Sequence, residues 1–151
     1  MKVGLVGAGG MGRRHLSALA RDPRVEIAGV VETDEVAAWS AASDFGGHPC
    51  RTVADLTELG VDAAYVALPN AYHGAVTREA LDRGLHVFSE KPMATSLHEA
   101  RQVAACVRRS GRVYQMGSTG ASPPHTATSI KRPPQGSLRC LQTLRSPTAT
   151  C

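Results

Sequence analysis

The chain has 151 residues, 17 Lys and Arg against 13 Asp and Glu, and 42% hydrophobic but only 4% aromatic residues. With no apolar run near the ~18 residues that cross a bilayer and no leader-like apolar stretch before the first glycine cluster, the expectation is a soluble, cytoplasmic protein without a membrane partner. The net charge of +4 comes from residues 118–151, which hold four basic side chains and no acidic one, whereas residues 1–117 hold 13 of each, so a nucleic-acid partner is not expected.

Cys50, Cys106, Cys140 and Cys151 form no Cys-x-x-Cys pair or Cys/His cluster, so neither a disulfide framework nor a metal site is expected.

From the start, β-branched runs alternate with helix-patterned stretches, the pattern of βαβ units around a parallel sheet. A strand over residues 2–6 ends at Gly7, and a helix over about 10–21 follows, with Met11, His15 and Leu19 as its sheet-facing stripe. Asp22-Pro23 stops that helix. A second strand over 25–32 leads to a helix over about 34–45, a short third strand near 50–52 and a brief helix around 53–59. Residues 63–68 read as a buried fourth strand that Pro69 terminates.

The next helix, about 71–83, carries Tyr72, Val76 and Ala80 at i, i+4 spacing, with Gly84 at a left-handed C-terminal position. A fifth strand occupies 86–89. Ser96 and Glu99 form a capping box before a helix with Leu97, Ala100, Val103, Ala104 and Val107 as its buried stripe. Gly111 ends it, and 113–116 read as a sixth strand. The fold class is therefore α/β, a doubly wound parallel sheet, with the domain boundary near Gly117.

The sharpest motif is Gly7-Ala8-Gly9-Gly10-Met11-Gly12, a G-x-G-x-x-G between a strand and a helix. Gly7 permits the tight turn, Gly9 lets a pyrophosphate approach the backbone, Gly12 lets helix and strand pack closely, and the helix N-terminus offers free N–H groups to an anion. An isolated match could equally be a turn that binds nothing. Glu32 adds weight, because it lies 20 residues after Gly12 at the end of the second strand, where an acid bonds the adenosine ribose diol and repels a 2′-phosphate. Thr33 follows it rather than an arginine, so NAD is favoured over NADP. Arg13 and Arg14 could meet a 2′-phosphate but also read as solvated helix residues. Asp34 reads as a helix N-terminal acid.

A second constellation comprises Pro69, Asn70 and His73 after the fourth strand and Glu90-Lys91-Pro92 after the fifth. Ligand crevices of open α/β sheets run along the carboxyl ends of the strands, so these groups can converge on one ligand. Lys91 offers a donor or proton there and Glu90 a carboxylate to fix it. Taken singly, Glu90-Lys91-Pro92 reads as a surface loop and His73 as a residue of a helix start.

In this order and spacing, the glycine motif with Glu32, Pro69-Asn70 with His73, and Gly84-Leu85-His86-Val87-Phe88-Ser89-Glu90-Lys91-Pro92 resemble the N-terminal domain of the Gfo/Idh/MocA oxidoreductases. The resemblance covers about residues 1–117. It implies a Rossmann domain that binds NAD or NADP, and hydride transfer to or from a sugar, polyol or related carbonyl compound. Lys91 would then be the catalytic residue beside nicotinamide and substrate, with Glu90 and Asn70 on the nicotinamide ribose side and a cis bond between Lys91 and Pro92. Gly7, Gly9, Gly10, Met11, Gly12, Glu32, Pro69, Asn70, His73, Glu90 and Lys91 are the expected cofactor-binding set.

The resemblance implies a second, α+β domain, for which no counterpart is expected in residues 118–151. Residues 118–151 contain five Ser, six Thr and five Pro with few large aliphatics, a composition that reads as a disordered basic tail. From about Gly120 the sequence is expected to be a frameshifted or truncated end, so that the lone chain is inactive and self-associates through the face the second domain would cover. The alternative function is a non-catalytic dinucleotide-sensing or protein-interaction domain.

Overall fold

The computed structural model describes residues 1–117. Six strands form one sheet, β1 (Lys2–Val6), β2 (Glu26–Val31), β3 (His48–Cys50), β4 (Ala63–Val66), β5 (His86–Ser89) and β6 (Tyr114–Met116). They lie in the order β3-β2-β1-β4-β5-β6, and every pairing is parallel. Five helices make the crossovers, α1 (Gly10–Leu19), α2 (Glu35–Phe45), α3 (Val53–Glu58), α4 (Asn70–Asp82) and α5 (Leu97–Ser110). The chain winds outward one way through β2 and β3, then the other way through β4 to β6. The reversal lies between β1 and β4, where such sheets open a crevice.

Because helices cover both faces, the central strands are apolar on both sides, as parallel sheets require. Val3, Leu5, Ile27, Val30 and Tyr65 pack against Leu16 and Leu19 of α1 and Ala41 of α2. On the other face, Val6, Ala28, Val31, Val66 and Val87 meet Leu56 of α3, Ala80 and Leu81 of α4 and Cys106 of α5. Two strand glycines explain how α3 comes so close. Gly4 and Gly29 pair across β1 and β2 beside a register shift, and a Cβ on either would stand 2.7 or 2.8 Å from a Leu56 methyl. A glycine inside a strand marks this kind of close approach.

The expected elements are present, with differences in which residues they bury. In α1 the buried positions are Gly12, Leu16 and Leu19, whereas Met11 and His15 are only half-buried. In α4, Tyr72 is exposed, and His73, Gly74, Thr77, Ala80 and Leu81 turn inward. In α5, Leu97 is exposed, and Val103 and Cys106 make the buried seam. The third strand begins two residues earlier than expected, after Gly46 and Gly47 at φ 90° and 93°. This leaves Thr52 free to cap α3 in a capping box with Asp55. The box at Ser96 is half realised: its hydroxyl accepts the Glu99 N–H at 3.1 Å, but the Glu99 carboxylate accepts from Thr95, at 3.3 Å.

Candidate functional site

The carboxyl ends of four adjacent strands carry the polar groups singled out above. In spatial order they are Glu32 after β2, the 7–12 loop after β1, Pro69-Asn70 after β4 and Glu90-Lys91 after β5. Adjacent strands lie about 4.8 Å apart, so the glycine loop and Glu90 are separated by about 10 Å across β4.

The glycine loop is built by steric necessity. Gly7 has φ 98°, and a Cβ there would stand 2.4 Å from the Ala67 carbonyl oxygen. A Cβ on Gly12 would fall 1.9 Å from the Gly7 carbonyl oxygen, so only glycine lets α1 begin this close to β1. Gly9 differs, because a Cβ there meets nothing within 4 Å. Its open side is a cradle that a side chain would fill, and Gly9 and Gly10 are both exposed. Helix α1 starts with no side-chain cap and no acid in its first turn, whereas Asp34, Thr52 and Ser96 cap α2, α3 and α5. Helix α4, which also starts at this edge, has Pro69 as its N-cap and likewise no side-chain cap. The site is thus flanked by helix N-termini whose N–H groups no side chain takes, an arrangement that suits an anion.

Glu32 is fixed by the loop it faces. Its Oε2 accepts the Ala8 N–H at 2.8 Å, and its Oε1 accepts the Thr33 N–H at 2.7 Å and the Thr33 hydroxyl at 3.1 Å. Burial pushes the carboxyl up, but the N–H groups of Ala8, Thr33 and Asp34 with the Thr33 hydroxyl outweigh it and hold the acid below its ordinary range. Asp34 acts as the N-cap of α2 through Val36 and Ala37 N–H groups at 2.9 and 3.2 Å. Arg13 pairs with Asp44 and lies over the Phe45 ring at 5.4 Å, so that its guanidinium is engaged by α2.

At the other end, Asn70 and Lys91 are exposed and Glu90 is buried. The Lys91-Pro92 bond is cis. His73 is placed unlike a ligand-facing residue. It is 1% exposed, with Nδ1 at 2.7 Å from the Pro92 carbonyl oxygen and Nε2 at 2.6 Å from the Leu68 carbonyl oxygen. Its ring ties the start of α4 to the Lys91-Pro92 turn. Carbonyl oxygens only accept, so both bonds form together only when each ring nitrogen carries a hydrogen.

Two side chains at the site escaped sequence reasoning. His15, expected in the apolar stripe of α1, sends Nε2 to Oε1 of Glu90 at 2.7 Å. Arg51, just after β3, pairs with Glu35 and borders a cavity of about 220 Å³ with Glu32, Glu35 and Trp39. Residue spacing could not have found the first pair, since 75 positions separate them. Among the described residues there is no group of three or more His, Cys, Asp or Glu that could hold a metal, and no helix is long and apolar enough to cross a membrane.

The parallel sheet, its central reversal and the glycine turn into α1 define a Rossmann dinucleotide-binding fold. The model of the GFO_IDH_MocA oxidoreductase family, NAD-binding Rossmann fold, matches residues 1–118, and the chain belongs to that family. It is 38% identical over 99 residues to glucose-6-phosphate 3-dehydrogenase of Bacillus subtilis, covering 66% of this chain and 28% of the relative. Among solved structures, GenD2 from gentamicin A biosynthesis in complex with NAD superposes with a TM-score of 0.74 at 35% identity, over 78% of this chain and 34% of GenD2. KijD10, a 3-ketoreductase from Actinomadura kijaniata in complex with NADP, gives 0.72 at 31% identity, over 77% and 38%. The chain therefore spans about a third of the length of these relatives. The tail and the reading of its origin, at residues 118–151, lie outside the described residues.

Proposed function

We propose that residues 1–117 are the cofactor-binding domain of an NAD(P)-dependent oxidoreductase acting on a hydroxyl or carbonyl of a sugar or polyol, and that NAD is preferred. The observation that carries this reading is the uncapped start of α1 beside the open side of Gly9, with the Glu32 carboxylate held at the end of the neighbouring strand. The glycine loop and the first N–H groups of α1 hold the pyrophosphate, and Met11 borders it. Glu32 accepts from the adenosine ribose diol; its negative charge disfavours a 2′-phosphate, and Arg51, which borders the same cavity, is paired with Glu35, as Arg13 is with Asp44.

Pro69 and Asn70 border the middle of the cofactor, and Glu90 and Lys91 its nicotinamide end. A bound nicotinamide supplies hydride acceptance or donation. Lys91 is the catalytic residue: its ammonium, which has no ion-pair partner among the described residues, donates a hydrogen bond to the reacting substrate oxygen and exchanges its proton. His73 contributes by holding the Lys91-Pro92 turn against α4. A reducing, cytoplasmic setting accords with the two buried free thiols, Cys50 and Cys106.

Calorimetric titration of the full chain with NADH and NADPH tests the reading. It expects NADH to bind at least tenfold more tightly; absence of binding refutes the dinucleotide site, and tighter NADPH binding refutes the role given to Glu32.

A further inference from the structure

We propose that His15 is a positioning residue for the nicotinamide half of the site, acting through Glu90; the inference rests on the dinucleotide reading above. His15 Nε2 lies 2.7 Å from Glu90 Oε1, with side-chain exposures of 20% and 12%. A carboxylate only accepts, so Nε2 carries the hydrogen and donates it. The other carboxylate oxygen, Oε2, accepts the Lys91 N–H at 3.4 Å. Glu90 is thereby held at both oxygens, and the better of the two bonds comes from a helix 75 residues away.

The imidazole has little freedom to do anything else. Its ring stands edge-on to Phe88 at 5.2 Å and tilted against Tyr65 at 6.0 Å, and those two rings stack at 5.1 Å. Phe88 and Tyr65 belong to β5 and β4, so the aromatic cluster fixes the His15 ring to the sheet immediately beneath the site. A polar side chain in such a cluster is costly unless its hydrogen bond is made, and Glu90 is the partner that makes it. The cluster also borders the exit of the described chain: a Cβ on Gly117 would stand 2.7 Å from Phe88 Cζ and 3.5 Å from Glu90 Oε1.

The consequence is a mechanical link between the two halves of the cofactor site. His15 lies on the same helix whose first turn faces the pyrophosphate, five residues after Gly10, or about 7.5 Å along the axis. One rigid helix therefore places both the anion-binding N–H groups and the donor that orients Glu90. Without that donor the Glu90 carboxylate turns out toward solvent, and only ligands that reach past the pyrophosphate register the loss.

Binding of NADH and of ADP, which ends at the second phosphate, is measured by calorimetry on the full chain and its variants. His15→Phe keeps an aromatic ring against Phe88 and Tyr65 but removes the donor; His15→Gln restores an N–H at the distance of Nε2. The expected result is NADH binding weakened tenfold or more in His15→Phe, ADP binding within twofold of the parent, and NADH binding within threefold of the parent in His15→Gln. Should His15→Phe not fold, His15→Asn, whose amide is too short to reach Glu90, takes its place with the same expectation. Parallel weakening of NADH and ADP, or unchanged NADH binding, overturns the positioning role. A parent chain that binds ADP but gains nothing from the nicotinamide riboside half also overturns it, while one that binds neither ligand overturns the dinucleotide reading itself.

Discussion

Gly9 and Gly12 stand three residues apart in one loop, yet an alanine at each should fail in a different way. At Gly12 the new Cβ falls 1.9 Å from the Gly7 carbonyl oxygen, more than 1 Å inside any tolerable contact, and the obstacle is backbone that cannot rotate away. Overpacking of this kind costs about 1–3 kcal/mol, here toward the upper end, while replacing a helical glycine by alanine returns about 1 kcal/mol. The net loss is about 2 kcal/mol, or a urea midpoint lowered by about 1 M. At Gly9 the backbone sits at φ −65° and ψ −174°, a region open to any residue, and the Cβ meets nothing. Gly9→Ala should fold with unchanged or slightly raised stability, by up to about 1 kcal/mol through the less flexible unfolded chain. Its NADH binding should nonetheless fall at least tenfold, because the methyl group occupies the pyrophosphate's approach. Urea unfolding and NADH calorimetry on the two variants separate the effects. A Gly9→Ala variant that binds NADH like the parent, or a Gly12→Ala variant of parental stability, would refute the division of labour.

Other consequences are equally direct. Glu32→Lys loses the acceptor for Ala8 N–H and the proposed ribose diol, so NADH binding should weaken by tenfold or more while the gap between NADH and NADPH closes, as read by competition between the two. His73→Phe strands the Leu68 and Pro92 carbonyls without donors and should cost about 2–4 kcal/mol in urea unfolding; a loss under 0.5 kcal/mol would show that the tie contributes little. His86 is held below its ordinary 6.5, first by burial and then by Arg112, and its Nδ1 accepts the Val113 N–H at 3.0 Å. The neutral ring is therefore the one the fold favours: its contribution is complete above about pH 6.5 and is lost as the pH falls through the depressed folded value. Urea midpoints should drop on acidification across that window, and His86→Gln should flatten the drop.

The succession of strands and helices and the glycine turn were legible in the sequence because both follow from local chemistry: β-branched runs, helix stops and the glycine motif each act within a few residues. The placement of Glu32 against that loop was legible for the same reason, by its spacing from the glycines. The buried faces of the helices were not. Helical spacing placed Tyr72 inward, but the inward residue is His73, whose polar ring is tolerated only because Leu68 and Pro92 supply its partners. Leu97 likewise satisfied the apolar pattern of α5 yet stands exposed, while Cys106, absent from that pattern, fills the seam against α4. The pairing of His15 with Glu90 is a product of strand order, which brings the end of β5 beside α1. Gly4 and Gly29 owe their place to a non-local neighbour, Leu56, which packs over both.

The central claim is that a dinucleotide lies along the carboxyl edge from Glu32 to Lys91. Amide chemical-shift mapping of the ¹⁵N-labelled chain against NAD tests it most directly. The account expects shifts concentrated at Gly9, Gly10, Thr33, Asn70 and Lys91, with the opposite edge of the sheet, at Asp62, Gly84 and Gly111, unmoved. Shifts confined to that opposite edge, or none at saturating NAD, would contradict it.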